Sequence, residues 1–305
     1  MKKNLLFVML LLPLMALAQS HYTAKNISKL SGAPKEGYQG MDIWKNYLVS
    51  CQNTGIVTLY HFNGDTIVKI GNPFFLASHS KFNHSNVASF GTAFYTPSDK
   101  LPLIYISQTY KKPINGKKDL LYVERINPDS LTSQLVQTIC FNDTNHLFGY
   151  ALQWVVDREN GYLYGYGNTI DNNNPNNKHR IIKVKMPTLA DSKDGFVTLN
   201  ESDLLENYLI EDTYKKPFNP IGQGLFVRNG LLFMPTGFGT QTHPSIFYVW
   251  DLKSKKMREI DLIQTTQGEL EDCAFSGGNL YLQGQKGVFK LTFAKKDAKK
   301  LRLNK

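Results

Sequence analysis

Apolar residues along this 305-residue chain recur mostly at every second position. Runs rich in Val, Ile, Tyr, Phe and Leu are broken by Gly, Asn, Asp and Pro, and a helical period is scarce. The pattern predicts an all-β protein. Short helices are expected only over Glu201–Leu209 (ESDLLENYL) and around Lys193. Five stretches share one plan, beginning at Tyr38, Asn86, Tyr150, Ile221 and Leu270. Each has a small or polar lead-in, an apolar strand, a turn and a second apolar strand. The turns carry residues that tolerate the positive φ of tight hairpins, such as Lys45-Asn46, Asn229-Gly230 and Gly277-Gly278-Asn279. A third strand follows in every unit, for example GIVTLYHF after Gly55 and SIFYVWDL after Ser245. A fourth is expected at Thr66–Ile70, Gln134–Cys140, Gly195–Leu199 and Lys256–Leu262. The fifth unit has no fourth strand of its own, and the strand-like segment His21–Leu30 precedes the first unit without a partner.

Self-similar four-stranded units of this length resemble a β-propeller, here with five blades. Placing the N-terminal strand in the last blade would remove an exposed edge and tie the chain ends together. The organisation expected is a leader over 1–18, a single propeller over 19–294 and a basic, flexible tail over 295–305. The lead-ins Gln39-Gly40 and Gln223-Gly224, with HSNVASFG (His84–Gly91), resemble a group of exported bacterial propellers that includes helveticin-like and teichoic-acid-associated proteins. That resemblance implies export and a cell-envelope setting, and little chemistry.

Lys2 and Lys3, the apolar run after them and the small-residue pattern Ala16-Leu17-Ala18 read as a signal peptide, with Gln19 first in the mature chain. The protein is therefore expected in the periplasm or outside the cell. No second apolar run of spanning length follows. The net charge of +10 is partly terminal, since Lys295–Lys305 holds six basic residues against Asp297. A solvated tail is expected there. No basic–aromatic array suggests nucleic acid. Cys51, Cys140 and Cys273 lie far apart and read as buried thiols. His79 and His84 do not have a shared-face spacing, and no cofactor or metal is expected. Trp44 and Trp154 are expected between blades, and Trp250 at the surface.

Residues leading into the first strands of a propeller gather at one mouth of its central channel. Gln39, His84, Asn86, Tyr150, Gln153, Gln223, Glu271 and Asp272 are the ligand-binding candidates on that ground. They are mostly uncharged and form no complete catalytic set. The leading expectation is a binding module for a glycan, cell-wall or protein ligand. The alternative is a carbohydrate-active enzyme. A hydrolase would use Glu271 or Asp272 with His84 or Asp42, and a lyase would use His84 and Tyr150. Adjacent strand residues such as Glu271 and Asp272 point to opposite faces unless a bulge intervenes.

Overall fold

The computed structural model describes residues 22–27, 37–109, 116–261 and 268–303. The expected leader lies outside the described residues. Among the described residues, twenty-one strands form five sheets, one per blade. Blade 1 contains β2 (Tyr38–Trp44), β3 (Tyr47–Gln52), β4 (Ile56–Phe62) and β5 (Ile67–Phe75). Blade 2 contains β6 (Val87–Phe90), β7 (Ile104–Ser107), β8 (Leu121–Asn127) and β9 (Thr132–Asn142). Blade 3 contains β10 (Tyr150–Asp157), β11 (Tyr162–Asn168), β12 (His179–Lys185) and β14 (Leu204–Leu209). Blade 4 contains β15 (Phe226–Arg228), β16 (Leu231–Thr236), β17 (Ile246–Asp251) and β18 (Lys256–Asp261). Blade 5 contains β19 (Leu270–Ser276), β20 (Asn279–Gly284) and β21 (Gly287–Phe293), completed by β1 (Tyr22–Asn26). β1 runs antiparallel to β21, with Tyr22 opposite Phe293 and Asn26 opposite Phe289. The chain thus forms the expected five-bladed propeller, closed by its N-terminal strand.

Burial falls from the axis outward. β2 is buried at all but its last residue, while β5 is largely exposed. The apolar core lies between neighbouring sheets. Val49, Leu59, Phe90 and Ile106 cluster between blades 1 and 2, and Tyr164, Val227, Leu232 and Trp250 between blades 3 and 4. In the turn between β15 and β16, Asn229 and Gly230 have φ of 50° and 69°, as the hairpin requires.

Three expectations are corrected. Gly195–Leu199 is not the fourth strand of unit three. Its β13 (Phe196–Asn200) joins the outer edge of blade 2, parallel to β9. The fourth strand of blade 3 is β14, drawn from the segment expected to be helical. A short 3₁₀ turn over Glu201–Asp203 ends before it, and Glu206 on β14 then meets Lys183 and Lys255 at 3.3 and 2.6 Å. Cross-strand ion pairing and the edge of β12 win over a weak local helical pattern. Trp250, expected at the surface, is fully buried, and its Nε1–H donates to the Tyr208 hydroxyl of blade 3 at 3.2 Å.

The C-terminal segment also differs from a solvated tail. Lys295–Lys300 forms a helix, α1, and Ala298, Leu301 and Leu303 are buried against blades 4 and 5. Arg302 donates to the carbonyl of Asn229 at 2.7 Å and pairs with Asp251 at 2.5 Å. The lysines stay in water while the apolar residues dock, so net charge concealed an amphipathic segment. Cys51, Cys140 and Cys273 are buried free thiols.

Candidate functional site

At the axis, Asp272 is fully buried and holds four blades together. One carboxylate oxygen accepts the N–H groups of Met41 at 2.8 Å and Ala88 at 3.2 Å. The other accepts those of Leu225 at 3.1 Å and Cys273 at 2.9 Å. In blade 3 the corresponding N–H, that of Trp154, donates instead to the Ser107 hydroxyl at 3.1 Å. First strands of a propeller turn an unpaired edge toward the axis, and these oxygens satisfy it. Burial pushes the Asp272 carboxyl well above the usual range, and the Met41, Cys273 and Ala88 N–H groups pull against that shift.

The lead-in glycines now have a cause. A Cβ on Gly224 would lie 2.1 Å from Asp272 Oδ1, and one on Gly40 would lie 2.6 Å from the Ala88 nitrogen. Gln-Gly recurs in blades 1 and 4 because the axis has no room for a side chain there.

Asp42 is a second buried carboxylate. It accepts the N–H of Ile43 at 2.7 Å and of Phe90 at 2.6 Å, and it pairs with Arg158. Burial raises its pKa and Arg158 opposes the rise.

Around the mouth, amide side chains link the blades. Asn86 donates to Gln39 Oε1 at 3.4 Å, and Gln153 donates to Asn86 Oδ1 and to the Gly222 carbonyl. Gln223 donates to Glu269 at 2.8 Å, and Gln285 donates to Glu271 and to the Tyr38 carbonyl. Burial pushes Glu271 well above the carboxylate range, and the nearby Glu269 charge adds to the rise.

Blades 2, 3 and 4 enclose a cavity of about 380 Å³ at this mouth. Five of the eight sequence candidates line it: His84, Asn86, Tyr150, Gln153 and Gln223. Gln39, Glu271 and Asp272 do not. Gln39 backs Asn86, Glu271 is held by Gln285, and Asp272 serves the backbone at the axis. Tyr150 and Gln153, three residues apart on β10, would face opposite ways in a regular strand. A bulge between them brings both to the cavity: Tyr150 pairs with Asn168, and Gln153 with Tyr166. A bulge also separates Leu270 from Asp272, yet the two acids end on different partners.

No Asp, Glu, Lys or Arg is among the described residues lining the cavity. Burial pushes the His84 imidazole down to about 4, so it is neutral at physiological pH. Two buried polar atoms of the lining residues have no partner in the protein, Gln153 Oε1 and the Tyr166 hydroxyl. Of the twelve described non-glycine residues with positive φ, two line the cavity. Thr109 and Ala151 line the cavity with φ of 41° and 56°, and Ser85 beside His84 has φ of 47°. Left-handed backbone at residues with a side chain is costly and gathers at functional sites. Ala151→Gly is expected to raise unfolding stability by about 0.5–1 kcal/mol in a urea titration.

Asn168, Asn172, Tyr166, Thr109 and Phe238 also line the cavity, and none was a sequence candidate. Most sit at or in connections between the second and third strands of a blade. Strand direction alternates, so these connections emerge at the same mouth as the lead-ins, and that was the signal available.

Of the acids a hydrolase would use, Asp42 pairs with Arg158, Asp272 accepts backbone N–H groups and Glu271 accepts from Gln285, and no carboxylate is among the described residues lining the cavity. His84 and Tyr150 share the cavity, as a lyase would need, but no Lys or Arg is among its described lining residues to neutralise a uronate.

Together the sheets and the mouth define a five-bladed β-propeller. No family model matches the chain, and no curated protein does. The resemblance to helveticin-like and teichoic-acid-associated proteins therefore rests on its short motifs alone. Among solved structures, the chain is similar to Myxococcus xanthus glutaminyl cyclase, at 14% identity and TM-score 0.51, covering 90% of this chain and 97% of that one. A Vanderwaltozyma polyspora Nup133 β-propeller domain matches at 14% identity and TM-score 0.41, covering 85% and 71%. A nidogen/laminin complex chain matches at 11% identity and TM-score 0.41, covering 82% and 73%. At these identities the likeness concerns the fold alone. Among the described residues, no helix is long and apolar enough to cross a membrane.

Proposed function

We propose that this protein is an exported binding module that holds an uncharged polar ligand in the mouth cavity. A glycan, a cell-wall fragment or the tip of a protein loop would meet that description. Export rests on the N-terminal leader pattern. The carrying observation is the cavity of about 380 Å³, walled by neutral side chains, with Gln153 Oε1 and the Tyr166 hydroxyl buried and unpaired. Its size is that of a small-molecule site. A buried polar atom without a partner costs free energy that a ligand's hydrogen bond would recover once neighbouring side chains shift to admit it. A charged ligand would find no countercharge.

Tyr166→Phe separates binding from folding. It removes a hydroxyl that has no partner within the protein, so the melting temperature is expected to stay level or rise. Affinity for ligands found by screening residues 19–305 against glycan and peptide arrays is expected to fall about tenfold, the value of one hydrogen bond. Binding unchanged in Tyr166→Phe, His84→Ala and Gln223→Ala alike would place the site elsewhere.

A further inference from the structure

We infer that the cavity takes a neutral pyranose unit and that Phe238 is the surface on which the sugar's apolar face stacks. The inference rests on the cavity being the ligand site and goes on to name what occupies it. Phe238 lines the cavity, yet 44% of its surface is exposed. A single exposed aromatic is ordinary on a protein surface. This one is held in place. It stands between Gly237 and Gly239, whose φ values are 87° and 67°, conformations that residues with side chains rarely adopt. Neither glycine has room for a Cβ, which would lie 2.1 Å from the Pro244 oxygen at Gly237 and 2.4 Å from the Gly268 carbonyl carbon at Gly239. The Gly237 N–H donates to the Ile221 carbonyl at 2.8 Å, and the Phe238 N–H donates to the His243 carbonyl at 3.0 Å. The phenyl ring meets the His243 ring edge to face at a centroid distance of 5.7 Å. The Gly-Phe-Gly backbone thus has a set path at the cavity rim and presents an apolar ring that stays largely in water.

The rest of the lining is of a different kind. Asn172 adds a planar amide, while Asn86, Gln153 and Asn168 already bond within the protein and keep only their remaining donor or acceptor capacity. Thr109 shares its hydroxyl with Ser107, and Tyr166 supplies one without a partner. A pyranose presents C–H groups on a face and hydroxyls around its edge. An aromatic ring attracts such polarised C–H groups, and an amide can both donate to and accept from neighbouring hydroxyls. An aromatic surface beside amide groups therefore matches a sugar ring in chemistry, and the cavity matches it in size. The absence of charged side chains from the described lining selects neutral sugars over uronates and phosphorylated sugars.

The test is calorimetric titration of residues 19–305 with cellobiose, chitobiose, maltose, a β-galactoside, a diuronate and an uncharged tetrapeptide pool. Wild type, Phe238→Ala, Phe238→Trp and Tyr166→Phe are compared, with melting temperatures in parallel. At least one neutral disaccharide is expected to bind. Phe238→Ala is expected to weaken it tenfold or more without lowering the melting temperature, and Phe238→Trp to bind as well as wild type or better. If Tyr166→Phe weakens sugar binding and Phe238→Ala does not, the stacking role is overturned and the cavity stands. If only the diuronate or only the peptides bind, in a manner sensitive to Tyr166→Phe, the sugar assignment is overturned and the cavity again stands. If neither substitution alters binding, the cavity reading falls and this inference falls with it. If no ligand in the set binds wild type at millimolar concentration, the sugar assignment is overturned.

Discussion

Asp272→Ala is expected to destabilise the protein by about 4 kcal/mol or more, or to leave no folded protein to measure. The substitution strips partners from the N–H groups of Met41, Ala88, Leu225 and Cys273, which belong to four different blades. Each buried N–H left unsatisfied costs roughly 1–3 kcal/mol, and the axis is too far from solvent for bulk water to replace the carboxylate cheaply. Equilibrium urea unfolding followed by tryptophan fluorescence measures the loss. Gly224→Ala serves as the companion variant, because its methyl group would collide with the same carboxylate. A loss under 1 kcal/mol for Asp272→Ala would show that the axial hydrogen bonds do not hold the blades.

The second large effect is expected at the other axial carboxylate. Arg158→Met removes the charged partner of Asp42, whose side chain is fully buried. Burial raises the Asp42 pKa, and Arg158 is the main influence opposing it, so the variant's Asp42 titrates higher still. A carboxyl whose folded pKa lies above its unfolded value of about 4 binds more protons when folded. Stability therefore falls as pH rises through that interval. The deficit against wild type is expected near 1 kcal/mol at pH 4, where a proton neutralises Asp42, and about 3–5 kcal/mol at pH 8, where the charge is buried alone. Urea titrations of both proteins at pH 4, 6 and 8 check this, and a deficit that does not change with pH would refute it.

The blades were legible because their signals are local. Period-two apolar runs and Asn-Gly or Gly-Gly turns need no knowledge of distant residues. The misread elements were decided at a distance. Gly195–Leu199 and Leu204–Leu209 are both short apolar-rich segments, and which sheet each joins depends on free edges at β9 and β12. Leu204, Leu205, Tyr208 and Leu209 also satisfy a helical spacing, so local pattern alone favoured the wrong element. In the C-terminal segment, six basic residues outweighed Ala298, Leu301 and Leu303, which together make the docked face.

The candidate site was legible to the extent that first-strand lead-ins converge. Asp272 and Gln39 were drawn in by the same rule, although one supports backbone and the other backs Asn86. Parity along β10 hid the shared orientation of Tyr150 and Gln153, because no residue in YALQ announces a bulge. Phe238 was missed because its place at the cavity follows from Gly268 and Pro244 crowding the flanking glycines, a contact that only the folded chain creates.

The pairing of β1 with β21 also sets an order in time. The strand Tyr22–Asn26 has its partner at Gly287–Phe293, so the ring cannot shut until residue 293 has been synthesised. Such a long wait between partners makes folding slow relative to local structures. For a chain expected to leave the cell by threading through a membrane, that delay keeps it in a form that can still be threaded. If the leader pattern does direct export, closure would fall after transport.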